Sequence, residues 1–95
     1  VLTATVGGNG KITTYHPDGK TLVKLAGTVN GGMVKTYQPD GKMLVDLSSN
    51  DNGGLVDVFN KKGEGIAQLG ADEYGNGVVG AYNRKGRGRT LKPGP

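Results

Sequence analysis

Gly31-Gly32-Met33-Val34-Lys35-Thr36-Tyr37-Gln38-Pro39-Asp40-Gly41-Lys42-Met43-Leu44-Val45-Asp46-Leu47 is the stretch that decides the fold. Two runs, Met33–Tyr37 and Met43–Leu47, are rich in residues that suit strands and are too short for helices. Between them, Pro39 presets the first turn dihedral, Asp40 suits the second position, and Gly41 takes the left-handed conformation that side chains resist. This predicts a β-hairpin closed by a type I turn with a glycine bulge.

The same pattern occurs four times. The aromatic recurs at Tyr15, Tyr37, Phe59 and Tyr82, followed within four residues by Gly19, Gly41, Gly63 and Gly86. That spacing fits one hairpin and its return, so the chain is a repeat protein. Lys11–Tyr15, Leu55–Phe59 and Val78–Tyr82 are further strands before a turn, and Thr21–Leu25, Gly65–Leu69 and Gly88–Leu91 are strands after one. The turns Asn60-Lys61-Lys62-Gly63 and Asn83-Arg84-Lys85-Gly86 keep the glycine and lose the proline, which predicts greater mobility in the last two units. Gly- and Asn-rich returns are expected over 26–32, 48–54 and 70–77.

The expected fold class is all-β, an antiparallel meander of four 22-residue β-hairpin repeats, with a β-prism formed between subunits. Residues 1–95 read as a single β-repeat domain, with a half unit at 1–7 and units at roughly 8–30, 31–52, 53–74 and 75–92. The start at Val1, half-way through a hairpin, suggests a piece of a longer array. Two strands per unit at ~4.8 Å advance the sheet about 10 Å, so four units extend on the order of 40 Å.

A three-residue loop would set Tyr15 opposite Thr21, Thr13 opposite Val23 and Lys11 opposite Leu25. Alternation then collects Tyr15, Val23, Leu25, Met33, Tyr37, Val45, Leu47, Leu55, Phe59, Leu69, Val78 and Tyr82 on one apolar face. The other face, with Ile12, Thr14, Lys24, Val34, Asp46, Val56 and Gln68, is mixed. Lys35 and Asp57 hold equivalent places on the apolar face, and are expected to pair across strands or between subunits.

Leu, Ile, Val and Phe number 21 of 95 residues, against 19 glycines and no cysteine. Glycine adds unfolded-state entropy and no side chain to bury. A core this thin, without disulfide or metal staples, is expected to need other copies of the chain. The partner predicted is therefore a homo-oligomer, with a trimer expected and no membrane insertion. No run approaches the roughly 20 apolar residues of a membrane span.

The repeat unit G-x-V-x-x-Y-x-P-D-G-K-x-L-V-x-L, spanning nearly all of residues 7–91, resembles the hairpin repeats of triangular β-prism fibres, the trimeric stalks and shafts of phage tail proteins. The resemblance implies a rigid oligomeric shaft, at an extracellular, cell or virion surface, with recognition or chemistry on separate terminal domains. The unit is more weakly similar to the YD repeats of Rhs-type shells through Tyr-x-x-Asp-Gly-Lys, and to MORN-like repeats through its Tyr to Gly-Lys spacing. In place of the adjacent Tyr-Asp of YD repeats, His16, Gln38, Asn60 and Asn83 follow the aromatic here.

Chemistry-bearing residues are sparse. His16 is the sole histidine and sits where the other units have Gln38, Asn60 and Asn83, so it reads as a polar turn residue. A general base needs an orienting partner and a second catalytic group, and neither is evident, nor is a triad around Ser48 and Ser49. Neither an enzyme nor a cofactor is expected. Asn50-Asp51-Asn52-Gly53 and Asp72-Glu73 offer oxygens to a cation, but lack the spaced ligand set of a calcium loop and read as returns.

Charge is unevenly placed. Residues 1–83 carry seven basic and eight acidic side chains, whereas 84–95 carry five basic and none acidic. Arg84, Lys85, Arg87, Arg89 and Lys92 therefore form a candidate polyanion-binding set, able to pair with phosphates or acidic polysaccharides. The leading expectation is a structural shaft or stalk module without catalysis. The alternative is a binding module for an acidic polymer.

Overall fold

In a computed structural model, residues 2–4 and 10–93 are described. What is expected of Val1, of residues 5–9 and of residues 94–95 lies outside them. The described chain forms nine strands: β1 (Leu2–Ala4), β2 (Gly10–Tyr15), β3 (Thr21–Thr28), β4 (Gly31–Tyr37), β5 (Met43–Asn50), β6 (Gly53–Phe59), β7 (Gly65–Ala71), β8 (Gly77–Tyr82) and β9 (Gly88–Leu91). Each pairs antiparallel with the next, giving one sheet in the order of the chain.

The glycine turns carry this meander. Gly19, Gly41, Gly63 and Gly86 have φ between 85° and 96°. In the first of these turns, His16 N–H donates to Lys20 O and Gly19 N–H donates to His16 O, both at 2.8 Å. The same pair of bonds closes the turns at Gln38, Asn60 and Asn83, and also the β7–β8 connection at Asp72, where Gly75 has φ of 87°. The third return is thus a fifth turn of the same construction.

The first two returns are tighter than the sequence suggests, because β3 and β5 continue to Thr28 and Asn50. Only Val29-Asn30 and Asp51-Asn52 remain as loops. Thr28 Oγ1 accepts Asn30 N–H at 3.2 Å and donates to Gly31 O at 2.8 Å. Asn50 Oδ1 accepts Asn52 N–H at 2.8 Å. Local side-chain bonds of this kind supply a turn without extra residues.

The register departs from expectation one residue from the turn in the first three hairpins. Tyr15 pairs with Thr21, but Thr14 pairs with Val23, so Leu22 is the extra residue of a β-bulge. Thr14 Oγ1 accepts Val23 N–H there, at 3.2 Å. The bulge recurs in the next two hairpins, at Leu44 (Tyr37 opposite Met43, Thr36 opposite Val45) and at Ile66 (Phe59 opposite Gly65, Val58 opposite Ala67). The fourth hairpin runs straight, from Tyr82 opposite Gly88 to Val79 opposite Leu91.

One inserted residue exchanges faces, since side chains alternate with period two. The aromatics and the aliphatic row therefore lie on opposite faces, in place of one shared apolar face. The aliphatic face carries Ile12, Leu25, Val34, Leu47, Val56, Leu69, Val79 and Leu91 in one row across β2 to β9. The other carries Tyr15, Tyr37, Phe59 and Tyr82 beside a row of Thr13, Lys24, Lys35, Asp46, Asp57 and Gln68, and is called the ladder face below.

The molecule measures 46 × 32 × 12 Å. Its thinnest dimension is that of a single sheet, because two packed sheets already stand ~10 Å apart backbone to backbone. Its radius of gyration, 15.4 Å, exceeds the roughly 12 Å of a compact domain of this length. Among the described residues no apolar side chain is fully buried, and the one buried polar side chain is Thr13.

Candidate interaction surfaces

With no interior, the surfaces of the sheet are the candidate functional sites. On the aliphatic face, Ile12, Leu25, Val34, Leu47, Val56 and Leu69 line an open trough of about 840 Å³, bordered by Gly32, Gly54 and Ala71. Small residues beside the row leave its side chains standing clear of cover. Leu47, Val79 and Leu69 are 41%, 46% and 51% exposed, and Leu91 is 72% exposed. A contiguous exposed apolar patch of this kind marks an interaction site or an aggregation hazard.

Side chains on the ladder face shelter one another more. Leu55 lies over Gly70, with its Cδ1 3.2 Å from where a Cβ would stand, and the Tyr82 ring covers buried Gly80 in the same way. The charged row is ordered by sign. Lys24 is opposite Lys35, Lys35 opposite Asp46, and Asp46 opposite Asp57. Lys35 and Asp57, expected as partners, are two strands apart with Asp46 between them. Gln68 Nε2 donates to Asp57 Oδ1 at 3.1 Å. Asp46 Oδ1 is shielded from solvent and receives no hydrogen bond.

Turns line the two remaining sides. Asp18 Oδ1 accepts Lys20 N–H and Asp40 Oδ1 accepts Lys42 N–H, each at 2.9 Å. These bonds hold both carboxyls below the usual aspartate range, aided by His16 and Lys42 respectively. In the third and fourth units the proline and aspartate are gone, and the asparagine opening the turn takes over. Asn60 Oδ1 accepts N–H groups from Lys62 and Glu64, and Asn83 Oδ1 accepts those of Lys85 and Arg87. The lost proline is thus answered by two hydrogen bonds. Neighbouring hairpin turns are tied by Gln38 Nε2 donating to Lys61 O at 2.8 Å.

His16 Nδ1 accepts Asp18 N–H at 3.3 Å and stands 3.2 Å from Asp18 Oδ1, within its own turn. Ser48 and Ser49 lie toward the opposite end of the strands, where Ser49 Oγ donates to Asn30 O at 2.9 Å. Asp72 Oδ1 accepts N–H groups from Tyr74 and Asn76 at 2.9 Å, so its turn engages it. Among the described residues, no group of three or more His, Cys, Asp or Glu side chains is placed to hold a metal ion. Among the described residues there is no helix long and apolar enough to cross a membrane.

Of the basic set, Arg84, Lys85 and Arg87 come together in the exposed β8–β9 turn. Arg89 lies in β9 opposite Ala81, on the aliphatic face. Lys92 follows β9 and borders a shallow depression with Val78, Gln68 and Asp72. The five do not form one surface. On an edge strand, charges of this kind also deter pairing with another sheet.

No family model and no curated protein matches the chain. The sign-ordered row was missed in the sequence because it depends on the bulges. Once three inserted residues are counted, the same alternation rule puts Lys24, Lys35, Asp46 and Asp57 side by side.

Proposed function

We propose that this chain is an oligomeric structural module, a β-repeat sheet whose aliphatic face is covered by further copies of itself. One observation carries the reading: a nine-stranded sheet holds an aliphatic row from β2 to β9, and none of those side chains is buried within the chain. Burial contributes roughly 1.5–3 kcal/mol per large aliphatic side chain, so a second surface over this row supplies what the single layer lacks. Three copies turning their aliphatic faces to a common axis would make the three-sided shaft that the repeat resembles. The turns and charged side chains would then face outward, and the module would act as a rigid spacer without catalysis.

Light scattering tests this. The expected mass is a multiple of 9.8 kDa, three copies in the prism arrangement. Replacing Leu47 and Leu69 with Asp is expected to dissociate the assembly and unfold the chain together. A double variant that keeps the mass and the β-sheet circular dichroism of the parent would refute the reading.

A second reading, binding of an acidic polymer, is supported by Arg84, Lys85 and Arg87 sharing one exposed turn. Binding to heparin should weaken steeply with salt and be lost in Arg84→Ala/Lys85→Ala/Arg87→Ala. Retention by the triple variant would exclude that turn as the site.

A further inference from the structure

We propose that the ladder face is a second self-association surface, joining two copies about a two-fold axis that runs along the strands between β4 and β5. This rests on the reading of the chain as a self-assembling module, and adds a contact on the side of the sheet that the aliphatic assembly leaves open.

The sign order is the first argument. An alternating row would neutralise itself within one sheet, whereas Lys24, Lys35, Asp46 and Asp57 place like charges opposite each other twice. Like charges directly opposite on paired strands are destabilising. Among the described residues, the close charge contacts are Lys42 with Asp40 and His16 beside Asp18, both in turns, and none joins these four side chains to another described residue. The proposed axis carries β3 onto β6 and β4 onto β5 of the second copy. Lys24 then faces Asp57 and Lys35 faces Asp46, and by symmetry each pair forms twice. A pattern of two positives followed by two negatives is its own complement under this operation and under no pure translation.

Asp46 supplies the second argument. Its Oδ1 is shielded from water and receives no hydrogen bond in the single chain, although Lys35 stands opposite it on the neighbouring strand. An acceptor left in that state is costly until a donor reaches it. The second copy brings a lysine ammonium from above.

Shape agrees with charge. The same operation sets Leu55 over Ala26 and Met33 over Ser48, large against small along the row that flanks the charged one on the side of the β3–β4 and β5–β6 returns. Sheets twist into a saddle. Rotation by half a turn about an axis along the strands carries that saddle onto a parallel one, so two copies stay evenly spaced across the face. Such an isologous contact closes on itself.

Sedimentation equilibrium of the intact chain in low and high salt separates the two contacts. Ion pairing weakens with salt, and apolar burial does not. The expected result is an assembly whose mass in about 0.5 M NaCl reflects the aliphatic face alone, growing at least twofold when salt is lowered to about 0.05 M. Lys24→Gln/Lys35→Gln and Asp46→Asn/Asp57→Asn should each lose the low-salt growth and keep the high-salt mass. Because the chain has no cysteine, mixing Lys35→Cys with Asp46→Cys under oxidising conditions gives a variant-specific check. A crosslink between the two variants, stronger than in either alone, is expected. An assembly that does not grow at low salt, or growth that both neutral variants retain, overturns the ladder contact and leaves the aliphatic one standing. A high-salt monomer that still pairs at low salt with the 35–46 crosslink supports the ladder contact and removes the aliphatic one.

Discussion

The residues that fix this fold are those whose backbone no other residue adopts easily. Gly41 has φ of 96° and Gly19 of 93°, while no non-glycine residue among those described has positive φ. Gly41→Ala should cost about 1–2 kcal/mol, read as a lowered urea midpoint with an unchanged slope. Gly88 is constrained differently. A Cβ there would overlap Ala81 O, a backbone atom that cannot swing aside, so Gly88→Ala should open the β8–β9 pairing. Amide hydrogen exchange confined to Tyr82, Arg89 and Thr90 would show it. Turn glycines were legible in the sequence, because the proline-aspartate-glycine pattern announces their conformation. Gly88 was not, because its constraint comes from the opposing strand.

Acid response belongs to the same scale. Asp18 and Asp40 have folded pKa values below the reference 3.8, chiefly because their carboxylates accept backbone N–H groups. A depressed carboxyl favours folding above its unfolded pKa, and that contribution disappears as pH falls through the lower, folded value. The melting temperature should therefore drop on acidification below about pH 4, and drop less in Asp18→Asn/Asp40→Asn. Equal acid sensitivity in parent and variant would remove these two turns as the cause.

Strands and turns show where sequence reading stops. Hairpin positions and the strand ends flanking each hairpin turn were visible, because short β-branched runs bounded by turn residues have few alternatives. The bulges at Leu22, Leu44 and Ile66 were not. Each is an ordinary strand residue, distinguished only by what its partner strand leaves unpaired. The consequence was large, since the residues of β3, β5 and β7 beyond their bulges changed sides relative to β2, β4 and β6. In the first bulge, Thr14 Oγ1 accepts Val23 N–H. Thr14→Val keeps the shape and removes the acceptor, and should cost about 1 kcal/mol. A larger loss, with altered cross-strand contacts by nuclear Overhauser effects, would mean that this hydroxyl sets the register of the hairpin.

At the scale of the molecule, a layer 12 Å thick has no fully buried apolar side chain among its described residues, and the proposed assembly would give it a cover. The shortage of core was already plain from 21 large aliphatic and Phe residues against 19 glycines. Which face the proposed assembly would cover was hidden until the register was known. If folding and association are coupled, stability is inseparable from concentration. The most direct measurement is thermal unfolding followed by far-ultraviolet circular dichroism over a hundredfold dilution series, with mass measured at each concentration. The account predicts a melting temperature that falls with dilution and β-sheet signal that vanishes as the oligomer dissociates. A folded 9.8 kDa monomer with a concentration-independent melting temperature would contradict it.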